Sequence, residues 1–187
     1  MKITNFLVLL TLFILTACGG NENNVNPAAT LTGTWELAEF TANIETSTIF
    51  SGETTEAVIN IDGKDFDYRL TFSETDYTTE GSYGYEGDMD VAGNKSSFDL
   101  AVSDVTGNGT YTLVDDELIS DGAFFKLEFQ GMNLEVGQGV TKARITKLSD
   151  TELIISQDEE MTIEDTQAGF SVTVTNKIVG QSVWKRK

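Results

Sequence analysis

The sequence contains a single cysteine, a single proline and no histidine. Without histidine the chain has no Ser-His-Asp or Cys-His catalytic arrangement, and it lacks the commonest side-chain ligand of transition metals. With one cysteine it has no intrachain disulfide. We therefore expect a protein that is not an enzyme and that uses no metal and no cofactor.

Basic residues are also scarce, since 12 Lys and Arg face 30 Asp and Glu and the formal net charge is -18. No basic stripe is available to neutralise phosphates, so nucleic acid is excluded as a partner. The densest acidic groups are Asp115 to Glu117, Asp158 to Glu160, and Glu164 with Asp165. Neighbouring strand residues point to opposite faces, which favours solvated charge near turns over a shared carboxylate site.

The N-terminus begins with Met1-Lys2 and continues with an apolar run from Phe6 to Leu15 that is broken only by Thr11. As a helix, about ten residues rise only about 15 Å, against about 30 Å of hydrocarbon in a bilayer. This run is too short for an ordinary membrane-spanning helix and is typical of a signal peptide. We predict a signal peptide over residues 1–17.

The four residues Leu15-Thr16-Ala17-Cys18 resemble the lipobox of bacterial lipoproteins. The resemblance implies cleavage before Cys18 and a diacylglyceryl group on its thiol, with two or three acyl chains giving a durable membrane anchor. The alternative is a secreted protein with a free cysteine. Gly19 stands where enterobacterial lipoproteins retained in the inner membrane have Asp, which implies the outer membrane.

The segment after the anchor, from Gly19 to Thr30, is small and polar and contains Pro27, the only proline. Residues 18–30 are therefore predicted to be the lipidated cysteine and a flexible tether. Fully extended, such a segment reaches at most roughly 40 Å. That reach would keep an acidic domain clear of an anionic membrane surface.

From residue 31 to residue 187 the dominant pattern is alternation with period two. Phe66, Tyr68, Leu70 and Phe72 share one face of a predicted strand, and Phe125-Lys126-Leu127-Glu128-Phe129 repeats the arrangement. No stretch keeps apolar residues at helical spacing. Short turn signals between the strands predict one all-β domain, an antiparallel up-and-down barrel of roughly 8 to 10 strands, with a β-sandwich as the alternative.

The start of this domain carries a short motif, Gly33 followed two positions later by Trp35. It resembles the Gly-x-Trp start of lipocalins and their bacterial lipocalin-like relatives. The resemblance implies that Trp35 plugs the closed end of the barrel and that a basic residue of the last strand packs over its ring. Arg186 is the candidate for that residue, with Lys185 and Lys187 as rivals.

The lipobox, the Thr32-Gly33-Thr34-Trp35 start and the late segment 145–155 together resemble many short lipoproteins of Bacteroidota. One stretch departs from a plain hairpin pattern, the Gly-rich segment from Gly81 to Gly93. We interpret Tyr83-Gly84-Tyr85 within it as a flexible loop at the barrel mouth.

Two functions of different class remain. The first is a membrane-anchored protein that binds a small hydrophobic molecule, and the second is a structural or protein-interaction module of the cell envelope with a solid core. Both use the same inward-facing residues, because a small barrel can be filled by its own side chains. The predicted cavity lining is Phe66, Tyr68, Leu70, Phe72, Phe125, Leu127 and Phe129.

Overall fold

The computed structural model describes residues 24–25, 30–129, 132–136, 140–167 and 170–187, with side chains described for residues 30–125, 140–164 and 171–187. Every regular element in this part of the chain is a β-strand. The strands are β1 (Asn24–Val25), β2 (Gly33–Phe50), β3 (Glu53–Phe72), β4 (Asp76–Val91), β5 (Asn94–Val114), β6 (Glu117–Asp121), β7 (Phe125–Phe129), β8 (Met132–Val136), β9 (Val140–Leu148), β10 (Glu152–Gln167) and β11 (Phe170–Arg186).

Eight of these strands form one closed ring in the order β9-β10-β11-β2-β3-β4-β5-β6, which is completed by pairing of β6 with β9. All ring pairings are antiparallel, and consecutive ring strands lie side by side. The predicted all-β, up-and-down arrangement is confirmed, and the strand number is at the lower end of the expected range. A single closed sheet rather than two packed sheets also rules out the sandwich alternative.

The ring is complete only at one end. There β6 pairs with β9 over Glu117–Asp121, whereas β2 to β5, β10 and β11 are long and continue beyond this closure. We call residues 43–60, 86–99, 157–167 and 170–179, which form three long hairpins, the open half. The remainder of the ring is the closed half.

The closed half contains the core, because alternate residues of each strand point inward and the ring is narrow enough for them to meet. These inward-facing side chains are almost completely buried. They are Trp35, Leu70, Phe72, Tyr77, Leu118, Ile145, Leu153 and Trp184.

Tyr83-Gly84-Tyr85, which we interpret as a loop from the sequence, lies within strand β4, so that interpretation is wrong. Tyr83 and Tyr85 lie on β4 and are buried in the core. A Cβ atom on Gly81 would lie 1.9 Å from the carbonyl oxygen of Asp67, and φ at Gly81 is +122°. Glycine is therefore required where β4 approaches β3 closely, rather than for loop flexibility.

Strand β1 lies within the segment that the sequence predicts to be a tether. It pairs in parallel with β9, Asn24 opposite Lys147 and Val25 opposite Leu148. Leu148 is the last residue of β9, so β1 meets the ring at its closed end.

Candidate functional site

Trp35 lies at the centre of the closed end, with none of its surface exposed. Its indole Nε1 donates a 2.8 Å hydrogen bond to the carbonyl oxygen of Leu31, two residues before β2 begins. A buried indole N–H requires a partner, and this bond supplies it. The bond also fixes the segment that leads into β2, so that this segment lies across the end of the ring.

Arg186 lies over the Trp35 ring, with its guanidinium carbon 4.1 Å from the ring centroid. Its Nη1 donates to the carbonyl oxygen of Thr32 at 3.0 Å, and its Nη2 donates to that of Thr30. One side chain thus joins the last strand of the ring to the segment before its first. The cation–aromatic contact and the two charge-assisted hydrogen bonds act on the same short segment.

The two rivals of Arg186 have other partners. Lys185 is exposed and pairs with Glu152, which also binds Lys147 at 2.5 Å. Lys187 pairs with Glu36 at 3.1 Å. Hydrogen bonds from Lys147 and Lys185 lower the pKa of Glu152 to about 2. These ion pairs hold the ends of β9, β10 and β11 together.

Gly33 has two reasons to be glycine. Its φ is +133°, a conformation that other residues rarely adopt, and a Cβ atom there would lie 2.7 Å from Nη1 of Arg186. The glycine of the Gly-x-Trp motif therefore makes room for the guanidinium that covers the tryptophan.

Sequence reasoning did not assign a role to Trp184, which is also fully buried at this end. Its Nε1 donates to the hydroxyl of Ser182 at 2.8 Å, and its ring centroid lies 5.8 Å from that of Phe125. The signal was available, because Ser182, Trp184 and Arg186 alternate with Val183 and Lys185 and so share the inward face.

Above this core lies an apolar cavity of about 50 Å³ that opens toward the open half. The polar side chains in its wall are those of Thr141, Gln157, Gln181 and Ser182, and the wall is otherwise mostly apolar. The main apolar lining residues are Phe40, Ala42, Ile44, Phe124, Phe125, Ala143, Ile155 and Ile178.

The predicted lining residues fall into four groups. Phe125 lines the cavity, and its ring stacks on Phe40 with centroids 4.4 Å apart. Tyr68, Leu70 and Phe72 lie below the cavity in the packed core, at most 2% exposed. Phe66 is half-buried against that core. Leu127 and Phe129 are on β7, and their side chains lie outside the described part, as does Cys18.

The hydroxyls of Tyr68 and Tyr77 lie in this interior. Tyr68 donates a 2.6 Å hydrogen bond to the carbonyl oxygen of Phe124, which fixes the chain at the cavity floor. Burial raises the pKa of Tyr68 to about 12, and burial with the nearby Tyr68 and Asp121 raises that of Tyr77 to about 12. Both hydroxyls therefore stay neutral, and the floor carries no charge.

The acidic groups noted in the sequence form no shared carboxylate site, although two of them contact Lys142. Asp115 is in the turn between β5 and β6, Glu117 pairs with Lys142 at 3.0 Å, and Glu159 accepts a bond from the backbone N–H of Lys142. Within the described ranges, no group of three or more acidic, histidine or cysteine side chains is placed to hold a metal ion.

Comparison with known proteins gives no match, whether to a family model, a curated protein or a solved structure. Over the described residues, no helix is both long and apolar enough to cross a membrane.

Proposed function

We propose that the protein is a lipoprotein of the bacterial cell envelope, anchored through Cys18, that binds a small hydrophobic molecule at the open end of its ring. The apolar cavity bordered by Phe40, Phe125 and Ile178 supports this proposal most directly. An apolar concavity with a small number of polar groups in its wall is the usual form of a small-molecule site.

The size of the cavity limits what enters it. An engineered apolar cavity of about 150 Å³ holds benzene, whereas this one has about 50 Å³. It therefore accepts the end of an apolar molecule, such as a few methylene groups. The rest of the ligand would extend past Ile44 and Ile178 along the inner face of the open half.

The anchor is supported by the lipobox resemblance and by the position of β1. Only residues 19–23 separate Cys18 from Asn24, and a chain of that length spans at most roughly 20 Å. The closed end, where β1 pairs, would then face the membrane and the cavity would open away from it. Gly19 favours the outer membrane, by the sorting rule stated above.

The binding proposal is tested with the chain from residue 19 onward, which keeps every described residue and lacks lipid. Native mass spectrometry without detergent should reveal a bound small molecule, and the neutral probe N-phenyl-1-naphthylamine should gain fluorescence on saturable binding. Ala42 lines the cavity, so Ala42→Phe fills it and should weaken probe binding about tenfold or more.

The matched control is Ala101→Phe, because Ala101 is exposed on β5 and the change adds the same side chain outside the ring. This variant should bind the probe as the parent does. Absence of both a bound molecule and saturable probe uptake would exclude the binding proposal.

The anchor is tested separately in cells supplied with labelled palmitate. The parent chain should carry the label, fractionate with membranes and begin at Cys18, whereas Cys18→Ala should carry no label and should be released. Unchanged membrane association of Cys18→Ala would contradict the anchor.

A second candidate, a structural or protein-interaction module, is favoured by the filled closed half. Tyr68, Leu70 and Phe72 have almost no exposed surface, so three of the five predicted lining residues whose side chains are described pack as a solid core. A ligand-free protein with a stable fold would favour this candidate.

A further inference from the structure

The open half leaves one strand edge unpaired over a long distance. β10 pairs with β11 without a register shift from Glu152 to Gln167, but it pairs with β9 only from Leu153 to Ser156. Among the described residues, no strand pairs with the other edge of β10 beyond Ser156. Such an edge presents a row of backbone donors and acceptors that can pair with another extended chain.

The opposite edge of the gap is less suited to strand addition. β5 carries Asp104 at φ +55°, the β4–β5 register shifts near Gly81, and β7 lies against β5. Irregular backbone protects a sheet edge because it interrupts the hydrogen-bonding row. No residue from 157 to 164 has a positive φ, so this part of β10 is a regular edge with no interruption of its own.

The two faces of β10 beside this edge differ in chemistry. Met161 and Ile163 are on the inner face, 54% and 48% exposed, and Ile163 pairs with Val174 of β11. Asp158 and Glu160 alternate with them and point to the outer face, both exposed. From Glu160 to Glu164 the inner side is apolar, whereas Glu159, also on the inner side, accepts a bond from the backbone N–H of Lys142 on β9.

We propose that residues 157–164 of β10 bind an extended segment of a partner protein in which apolar and basic residues alternate. The partner backbone pairs with the free edge of β10, its apolar side chains extend the inner face next to Met161 and Ile163, and its basic side chains lie beside Asp158 and Glu160. Cross-strand pairs of opposite charge stabilise such an addition, whereas like charges destabilise it. A second copy of this strand fits poorly, because antiparallel self-pairing would place its acids beside one another.

The test uses the full chain as cells produce it, kept in the minimum of nonionic detergent, and a labelled ten-residue peptide that alternates Val and Lys. Fluorescence anisotropy should show saturable binding that weakens as salt is raised. A peptide alternating Val and Glu should not bind. A Val/Lys peptide with alternate backbone nitrogens methylated should not bind either, because it cannot donate to the edge.

The decisive variants reverse the charge beside the edge of β10, and the control makes the same change in net charge elsewhere in the open half. Asp158→Lys with Glu160→Lys should weaken Val/Lys binding about tenfold and allow the Val/Glu peptide to bind. The control, Glu56→Lys with Asp88→Lys, makes the same charge change at exposed sites on the central strands β3 and β4. It should leave peptide affinity within about twofold, since long-range attraction to net charge is screened.

Hydrogen exchange gives an independent readout, because the peptide should slow amide exchange within 157–164. Circular dichroism verifies that each variant remains folded. The proposal is overturned if the Val/Lys peptide fails to bind, if both double variants lose affinity equally, or if protection appears elsewhere. Dimerisation of the chain that Met161→Ser with Ile163→Ser abolishes would instead identify a second copy as the occupant.

Discussion

The closed half and the open half share several long strands, yet their inward-facing side chains differ in how much of their surface is exposed. In the closed half Trp35 and Trp184 have no exposed surface, whereas in the open half Met161 and Ile163 keep about half of theirs. The difference arises from ring closure, because β6 and β9 complete the circle only at one end. Closure therefore separates a region that supplies stability from a region whose apolar surface is free to contact other molecules.

The largest expected effect is in the closed half. Trp35→Ala should lower the free energy of unfolding by about 3–5 kcal/mol, since it leaves a large cavity and removes the ring beneath Arg186. Denaturant unfolding followed by circular dichroism measures the loss. A loss below about 1 kcal/mol would mean that the closed half is not the stabilising region.

A smaller effect is expected at Gly33. Gly33→Ala forces a side chain into a positive-φ conformation and against Nη1 of Arg186, and should cost about 1–3 kcal/mol. Gly52→Ala is the control, because Gly52 has φ +87° but open space around its Cβ position. Equal losses in the two variants would show that the Arg186 contact contributes nothing.

The ion pairs at the closed end predict a pH dependence. The folded pKa of Glu152, about 2, lies below its ordinary value of 4.5, so its stabilising effect is present above about pH 4.5 and is lost as the pH falls toward 2. Glu152→Gln should flatten the stability curve across this interval. Glu160→Gln in the open half is the comparison, and an identical flattening there would argue against a specific role for Glu152.

The smallest effect is expected in the open half. Met161→Ala removes a side chain that is half exposed, so the free energy of unfolding should change by no more than about 0.5 kcal/mol. A loss comparable with that of Trp35→Ala would show that the open half is packed against something in solution.

The period-two pattern predicted the strand content and the antiparallel ring, and it identified inward faces such as that of Tyr68 and Leu70. It did not predict how far along the ring axis each residue lies, so core residues and cavity residues could not be distinguished. The loop interpretation of Tyr83-Gly84-Tyr85 is wrong for a related reason. A glycine that admits a neighbouring backbone and a glycine that bends a loop look alike until the partner strand is known.

Arg186 bonds the carbonyl oxygen of Thr32, which stands 154 positions earlier in the chain. The pairing of β2 with β11 therefore brings together residues that are far apart in the sequence. Closing so long a loop costs conformational entropy before the contacts between the two strands can form. We expect folding to be slow and this pairing to form late. Until it forms, the apolar faces of the central hairpins stay in water, and a chaperone that shields them would raise the yield of folded protein.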